Sequence, residues 1–148
     1  MEFFLRDTTE NDIDLIYDIN KSSYKEAVMN KHGQWNEEEK RQYYKEKFYK
    51  HTYYIIEIGN KTAGLAGLSI KDDHIYLSDI KILPEWQGKG LGTQILKDVE
   101  KKFSKTKLPL RLDVLKTNQR AIALYEKLGF SKYDKNEYYF FYQKNNLV

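Results

Sequence analysis

Ile80-Lys81-Ile82-Leu83-Pro84-Glu85-Trp86-Gln87-Gly88-Lys89-Gly90-Leu91-Gly92-Thr93 is the stretch that decides the fold. Its first residues are apolar and β-branched on alternate positions, as a strand requires, and Pro84 ends that strand because it cannot donate to a ladder. Three glycines in five positions follow, with Lys89 among them. Leu91, Ile95, Leu96, Val99 and Phe103 then recur at helical spacing. A glycine loop between a strand and a helix start lets backbone approach an anion closely, and the first helical amides meet it with the positive end of the dipole. A phosphate or pyrophosphate ligand is the expectation; a loop that simply needs left-handed residues is the alternative. A Walker loop is excluded, since Gly90 rather than Ser or Thr follows Lys89. A dinucleotide fingerprint starting at Gly88 would need glycine at Thr93, although Asp113 lies about 20 residues on as that motif asks.

Outward from the loop, the chain reads as alternating elements. Residues 2–6 form a short strand. Thr9-Glu10-Asn11-Asp12 resembles a capping box, with Ile13, Ile16, Tyr17, Ile19 and Tyr24 carrying a helical stripe to about Val28. Asn30-Lys31-His32-Gly33 breaks that helix, and Asn36 caps a second, with Glu37, Glu38 and Glu39 in its first turn and lysines toward its end. Thr52–Ile58, Ala63–Ile70 and Ile75–Leu83 read as three strands joined by short turns, an antiparallel meander. After the loop and its helix, Leu108–Leu115 is another strand, and the intervening helix permits a parallel crossover. Asn118 caps a last helix through Leu128, Gly129 takes the left-handed C-terminal position, and two aromatic strands around 131–134 and 137–143 finish the chain.

The chain has 148 residues, which predicts one domain over 1–148 with a core that needs no staples. It has no cysteine, so disulfides, thiolate zinc sites and a cysteine nucleophile are excluded. The net charge of +3 does not argue for a nucleic-acid binder, no apolar run is long enough to span a membrane, and the N-terminus lacks a secretory signal. A cytoplasmic protein with neither nucleic acid nor membrane as partner is the expectation. His32, His51 and His74 lack metal-ligand spacing, so no metal is expected. The charge is divided unevenly. Residues 1–74 hold 11 basic and 14 acidic side chains, whereas residues 75–148 hold 14 basic and 8 acidic. Chance and solvated helix faces explain this, or the two halves handle oppositely charged ligands.

Gln87-x-x-Gly90-x-Gly92, followed about 30 residues on by Asn118-Gln119-Arg120-Ala121-Ile122-Ala123-Leu124-Tyr125-Glu126-Lys127-Leu128-Gly129-Phe130, resembles the two halves of the signature of the GNAT superfamily of acetyl-CoA-dependent N-acetyltransferases. The order of elements matches that fold along the whole chain. The resemblance implies a mixed α/β fold: a mostly antiparallel sheet of about seven strands with a splayed pair, flanked by about four helices. It also implies transfer of an acetyl group from acetyl-CoA to an amine.

By that resemblance, the backbone of Ile80, Lys81 and Ile82 pairs with pantetheine, and an amide such as that of Ile82 serves the oxyanion. Gln87, Gly88, Lys89, Gly90, Leu91, Gly92 and Thr93 cradle the pyrophosphate. Asn118, Ala121, Leu124 and Tyr125 line the pantetheine arm, and Lys127 reaches toward the ribose end. Tyr125 matches the family's acid that protonates the leaving thiolate; core packing is the alternative, since Ile122, Tyr125 and Leu128 share a face. The base is Asp113, one carbon shorter than the glutamate at that place in the branch acting on ribosomal-protein N-termini, or Asp79; either is also readable as a solvated carboxylate. The acceptor side falls around Tyr24 to Trp35 and around Tyr138 and Tyr139, with Trp35 either walling a pocket or stapling the second helix. A small cationic amine is the favoured acceptor, given the acidic first half. A protein or peptide N-terminus and a non-catalytic acyl-CoA-binding regulatory module are the alternatives. Edge pairing of the aromatic C-terminal strands makes a homodimer a further expectation.

Overall fold

Local chemistry sets the element boundaries. Thr9 opens a short 3-10 turn through a capping box in which the Asp12 carboxylate accepts from the Thr9 amide at 2.9 Å. The helix α1 (Ile13–His32) runs directly on from it and ends at Gly33, whose φ of 78° is the left-handed stop. The predicted break at Asn30-Lys31-His32-Gly33 is therefore corrected in extent: the helix runs past Val28 through His32, and of that stretch only Gly33 ends it. The helix penalties of Asn30, Lys31 and His32 are only a few tenths of a kcal/mol each, too small to end a helix unless a residue adopts the left-handed conformation. Asn36 caps α2 (Glu37–Lys50) by accepting from the Glu39 amide at 3.0 Å.

The strands follow the β-branched and aromatic runs. The computed structural model describes residues 2–145; the side chains of residues 23, 24, 26, 27 and 28 lie outside the described ones. Among the described residues seven strands make one sheet: β1 (Phe4–Asp7), β2 (Thr52–Ile58), β3 (Lys61–Ile70), β4 (Ile75–Ile82), β5 (Leu110–Leu115), β6 (Ser131–Lys135) and β7 (Tyr139–Lys144). Their order is β1-β2-β3-β4-β5-β7-β6. β1 pairs antiparallel with β2, from Phe4↔Glu57 to Asp7↔Tyr54. β4 and β5 run parallel and are registered at Ile75↔Leu110 and Tyr76↔Arg111, the first residues of each strand. The helix α3 (Leu91–Lys102) makes that parallel crossover, and α4 (Gln119–Lys127) links β5 to the β6–β7 hairpin. The mostly antiparallel mixed sheet and the four α-helices agree with the expected architecture. No helix among the described residues is long and apolar enough to cross a membrane.

The chain gathers into two compact units, and both β3 and β4 pass from one to the other. The first comprises Met1–Gly67 and Asp79–Gln87. Its core joins Ile16 and Ile19 of α1 to Tyr53, Ile55 and Leu65 of the sheet, with Leu15, Phe48 and Leu83 packed around them. The second comprises Leu68–Ser78 and Gly88–Val148. In it Leu91, Ile95, Leu96 and Val99 of α3 and alternate β5 residues Leu110, Leu112 and Val114 are buried, with Phe130 and Tyr142.

Cross-strand partners share a face, which fixes where the helices of the second unit lie. Leu112 is registered with Tyr142 and Leu110 with Lys144. The Tyr142 hydroxyl donates to Glu126 of α4 at 3.1 Å, and Lys144 pairs with Glu100 of α3 at 2.8 Å. Both helices therefore cover the face bearing Leu110, Leu112 and Val114. Arg111, Asp113 and Leu115 project from the opposite face.

Candidate functional site

The first unit supplies the end of β4 and the segment after it. At Gly64 the neighbouring β4 backbone comes so near that a Cβ would stand 2.0 Å from the Lys81 carbonyl oxygen. The Leu83 amide donates to the Ala63 carbonyl at 2.8 Å, and the Gln87 side chain donates to the Ile82 carbonyl at 2.8 Å. Gln87 thus ties the loop entrance to the strand whose backbone the sequence reading assigned to the acyl donor. Ile80 and Ile82 are half-buried and point to the face opposite Asp79 and Lys81.

Asp79 accepts from the Lys81 ammonium at 2.7 Å and from Lys47 of α2 at 3.3 Å. Lys81 is only 8% exposed. Burial pushes its pKa down, and the charge of Asp79 opposes that fall. The Asp79 carboxylate is therefore committed to two ammonium groups, and taking a proton from an acceptor would break a buried pair.

Trp35 is anchored rather than loose. Its indole N–H donates to the Tyr17 hydroxyl at 2.9 Å, and the Tyr17 hydroxyl in turn donates to Glu37, which also holds Lys21. Arg41 lies 4.2 Å over the Tyr17 ring and Lys40 lies 5.5 Å over Trp35. The residue fastens the connector between α1 and α2 through Tyr17. The side chain of Tyr24 lies outside the described residues. An open groove of about 610 Å³ runs along α1, lined by Asp18, Lys21, Ser22, Lys25, Met29 and Asn30. It overlaps the predicted acceptor stretch in Lys25, Met29 and Asn30 and contains none of the predicted acyl-donor residues.

The second unit supplies the rest of the glycine loop and two helices. Gly88 and Gly90 have φ of 75° and 76°, and a Cβ on either would meet nothing within 4 Å. Gly90 opens α3 with no side-chain cap, unlike α2 and α4, so the first-turn amides have no side chain to satisfy them. Left-handed glycines, open space above the loop and an uncapped helix start suit a pyrophosphate, and exposed Lys89 adds charge. Leu91 itself is buried in the core, so its part in the loop is through its backbone. Gly92 faces Leu124 of α4 at 3.8 Å from its notional Cβ, which brings two predicted acyl-donor residues together.

Asn118 caps α4 by accepting from the Ala121 amide at 3.1 Å, which commits its carboxamide oxygen and leaves its N–H groups. Ala121, Leu124 and Tyr125 are half-buried along one stripe of α4, whereas Lys127 is exposed at its end. The Tyr125 ring packs edge-on to Phe130, with centroids 5.9 Å apart. Burial pushes its phenol pKa up, which keeps it protonated at neutral pH. Asp113, on the open face of β5, accepts from the Tyr76 hydroxyl at 2.6 Å. Tyr138 is 64% exposed in the β6–β7 turn.

Gly64, Lys47 and Tyr76 were missed in the sequence. Gly64 had a signal, an isolated glycine inside a strand pattern. Lys47 and Tyr76 had none, because each meets its partner across 32 and 37 residues of chain.

A model of the acetyltransferase (GNAT) family matches residues 13–130. Thialysine N-epsilon-acetyltransferase of Bos taurus is 47% identical over 60 residues, covering 40% of this chain and 35% of that protein. The chain spans only about a third of the length of the thialysine enzymes it matches. A protein of Bacillus subtilis (strain 168), provisionally named a ribosomal protein bS18-alanine N-acetyltransferase, is 31% identical over 126 residues, 84% of this chain and 78% of that one. The crystal structure of the PaiA N-acetyltransferase from Thermoplasma acidophilum in complex with coenzyme A superposes with a TM-score of 0.75 at 20% identity, covering 98% of this chain and 99% of that one.

Proposed function

The chain belongs to the GNAT acetyltransferase family, and on that premise we propose that it transfers an acetyl group from acetyl-CoA to a primary amine by direct attack in a ternary complex. Acetyl-CoA supplies an activated thioester. The chain supplies an anion cradle at Gly88–Thr93, a base and an acid. Asp113 takes the proton of the acceptor ammonium, directly or through a water, so that the neutral amine forms the new N–C bond as the C–S bond breaks. Tyr125 gives its hydroxyl proton to the departing sulfur and is reprotonated from solvent, while the newly acylated nitrogen sheds its second proton and Asp113 the first one to solvent. The family's oxyanion donor falls on the Ile82 amide.

One observation carries this reading. Asp113 and the helix bearing Tyr125 lie on opposite faces of β5, since α4 covers the Leu112 and Tyr142 face and Asp113 projects from the other. Acyl donor and acceptor can then approach from different sides and be bound at the same time, which suits a ternary complex. Asp79 is the weaker base because two lysines already hold it. The acceptor is a small cationic amine, a choice supported by the thialysine enzymes among the relatives. A protein N-terminus is the second reading, favoured by the Bacillus subtilis relative that matches most of the chain.

Thiol release from acetyl-CoA is the test, run against polyamines, aminoglycosides, amino acids and N-terminal peptides. Turnover with one class names the acceptor. Tight acetyl-CoA binding with no turnover on any of them would leave a regulatory module instead. Tyr125→Phe should lower kcat by about 10²-fold or more with acetyl-CoA affinity intact, the usual scale for a proton donor. Unchanged turnover would remove Tyr125 from the acid role.

A further inference from the structure

Past the last registered pair of β4 and β5, Tyr76↔Arg111, a side chain continues the connection. The Tyr76 hydroxyl reaches two residues along β5 to the Oδ2 atom of Asp113 at 2.6 Å. That length is in the range of a charge-assisted O–H···O⁻ bond, the stronger class. Asp113 is otherwise exposed, and an exposed aspartate samples several rotamers. Among the described residues Tyr76 is its one hydrogen-bond partner.

Two other charged groups share this face, and both are engaged elsewhere: Asp134, registered with Phe141, accepts from the Lys135 amide at 2.8 Å. Arg111, two residues before Asp113, donates to Gln143 at 3.1 Å and lies 5.1 Å over the Tyr133 ring. Asp73, in the turn before β4, is held by His74 at 2.7 Å, and Arg111 adds a weaker attraction to it. Phe141, the registered partner of Asp113, brings no polar group.

From this arrangement we propose that Tyr76 is a positioning residue for acetyl transfer: its hydroxyl engages Oδ2 of Asp113 and leaves Oδ1 directed to the acceptor. A carboxylate has lone pairs on both oxygens, so one can be held while the other takes the proton. The proposal rests on the reading of Asp113 as the base. Misplacing a reacting group by about 1 Å costs up to 10²-fold, and losing one tether on an exposed carboxylate costs part of that.

The experiment compares Tyr76→Phe, Asp113→Asn and the double variant in steady-state acetyl transfer, with thermal unfolding as a check on the fold. Tyr76→Phe should lower kcat on the order of 10-fold with KM for acetyl-CoA unchanged. In the Asp113→Asn background the same change should do nothing further, because there is no base left to position. Wild-type kcat in Tyr76→Phe, alongside a severe loss in Asp113→Asn, overturns the positioning role while leaving the base in place. An equal loss from Tyr76→Phe in both backgrounds also overturns it, since Tyr76 then acts independently of Asp113. Wild-type activity in Asp113→Asn overturns the base reading itself.

Discussion

Replacing Gly64 by alanine tests whether the backbone of β4 is held in one fixed place. The added Cβ would stand 2.0 Å from the Lys81 carbonyl oxygen, 3.1 Å from its carbon and 3.2 Å from the Ile82 Cα. Ordinary C···O contact is about 3.3–3.6 Å, so the carbonyl must retreat by about 1.3 Å or more. All three contacts are backbone atoms, so no side chain can swing aside. The strand is pinned just beyond, where the Leu83 amide donates to Ala63, so the displacement falls on Lys81 and Ile82. Overpacking of this kind costs about 1–3 kcal/mol. For a domain of this size that is a fall in Tm of about 4–8 °C for the middle of that range. The Ile82 carbonyl also holds Gln87, so acetyl-CoA affinity should fall with stability, on the order of 10-fold if one backbone hydrogen bond is misaligned. Thermal unfolding and calorimetric titration with acetyl-CoA read the two effects separately. A Gly64→Ala protein with wild-type Tm and wild-type affinity would refute the claim that this close approach positions the strand.

The neighbouring features give contrasting outcomes. Gly92→Ala meets only Leu124 at 3.8 Å and should keep or raise stability, by up to about 1 kcal/mol from helix propensity, yet weaken acetyl-CoA binding if the pyrophosphate lies against that backbone; calorimetry showing unchanged affinity would exclude the contact. Asp79→Asn removes the charged partner of the buried Lys81 and should cost about 3–5 kcal/mol in urea unfolding, most of it recovered by Asp79→Asn with Lys81→Met; no recovery would locate the loss elsewhere. Asp12 is held below the ordinary carboxylate range, chiefly by its hydrogen bond from Arg6, so its stabilisation is complete above about pH 3.9 and is lost as pH falls through the lowered folded value. The stability gap between wild type and Asp12→Asn, about 1 kcal/mol at neutral pH, should therefore narrow progressively in acid; a gap that widens as pH falls below about 3.9 would contradict the assignment.

How far the molecule could be read in advance depended on the range of the forces involved. Caps, turns and strand ends are set by neighbours in sequence, so Thr9, Asn36, Pro84, Asn118 and Gly129 marked their elements correctly. The same local logic ended α1 early: of the stretch Asn30-Lys31-His32-Gly33 read as its break, only Gly33 provides the stop. The acyl-donor half of the site is local too, a glycine loop leading into a helix start, and its left-handed Gly88 and Gly90 follow from the composition of the stretch. The rest depends on pairs distant in sequence. Asp79 and Asp113 were equivalent as carboxylates on strands; only the lysines beside one and the tyrosine beside the other separate them. Which face Asp113 occupies follows from the register of β5 with β7, and no periodicity within β5 could supply that register.

The division of charge needs the same treatment, because a count of side chains is not a field. In the first half, Asp12 and Glu57 are paired with Arg6, Asp14 with Arg41, Glu37 with Lys21 and Arg41, and Asp73 with His74. These carboxylates are largely neutralised at short range, and screening within about 8–10 Å erases much of what remains. Among the described residues, the groove along α1 bears one acid, Asp18, against two lysines, Lys21 and Lys25. An excess of acid over residues 1–74 therefore does not by itself draw a cationic acceptor to that groove. Under the proposed function, selection of a cationic amine would rest on carboxylates not consumed in pairs, and Asp113 is one of them, exposed and held by a phenol rather than by a cation. On this argument Asp113→Asn should raise KM for a polyamine as well as lower kcat, whereas Asp18→Asn should leave both within a factor of two or so, in keeping with the small worth of exposed charges. A large rise in KM from Asp18→Asn alone would return the acceptor to α1.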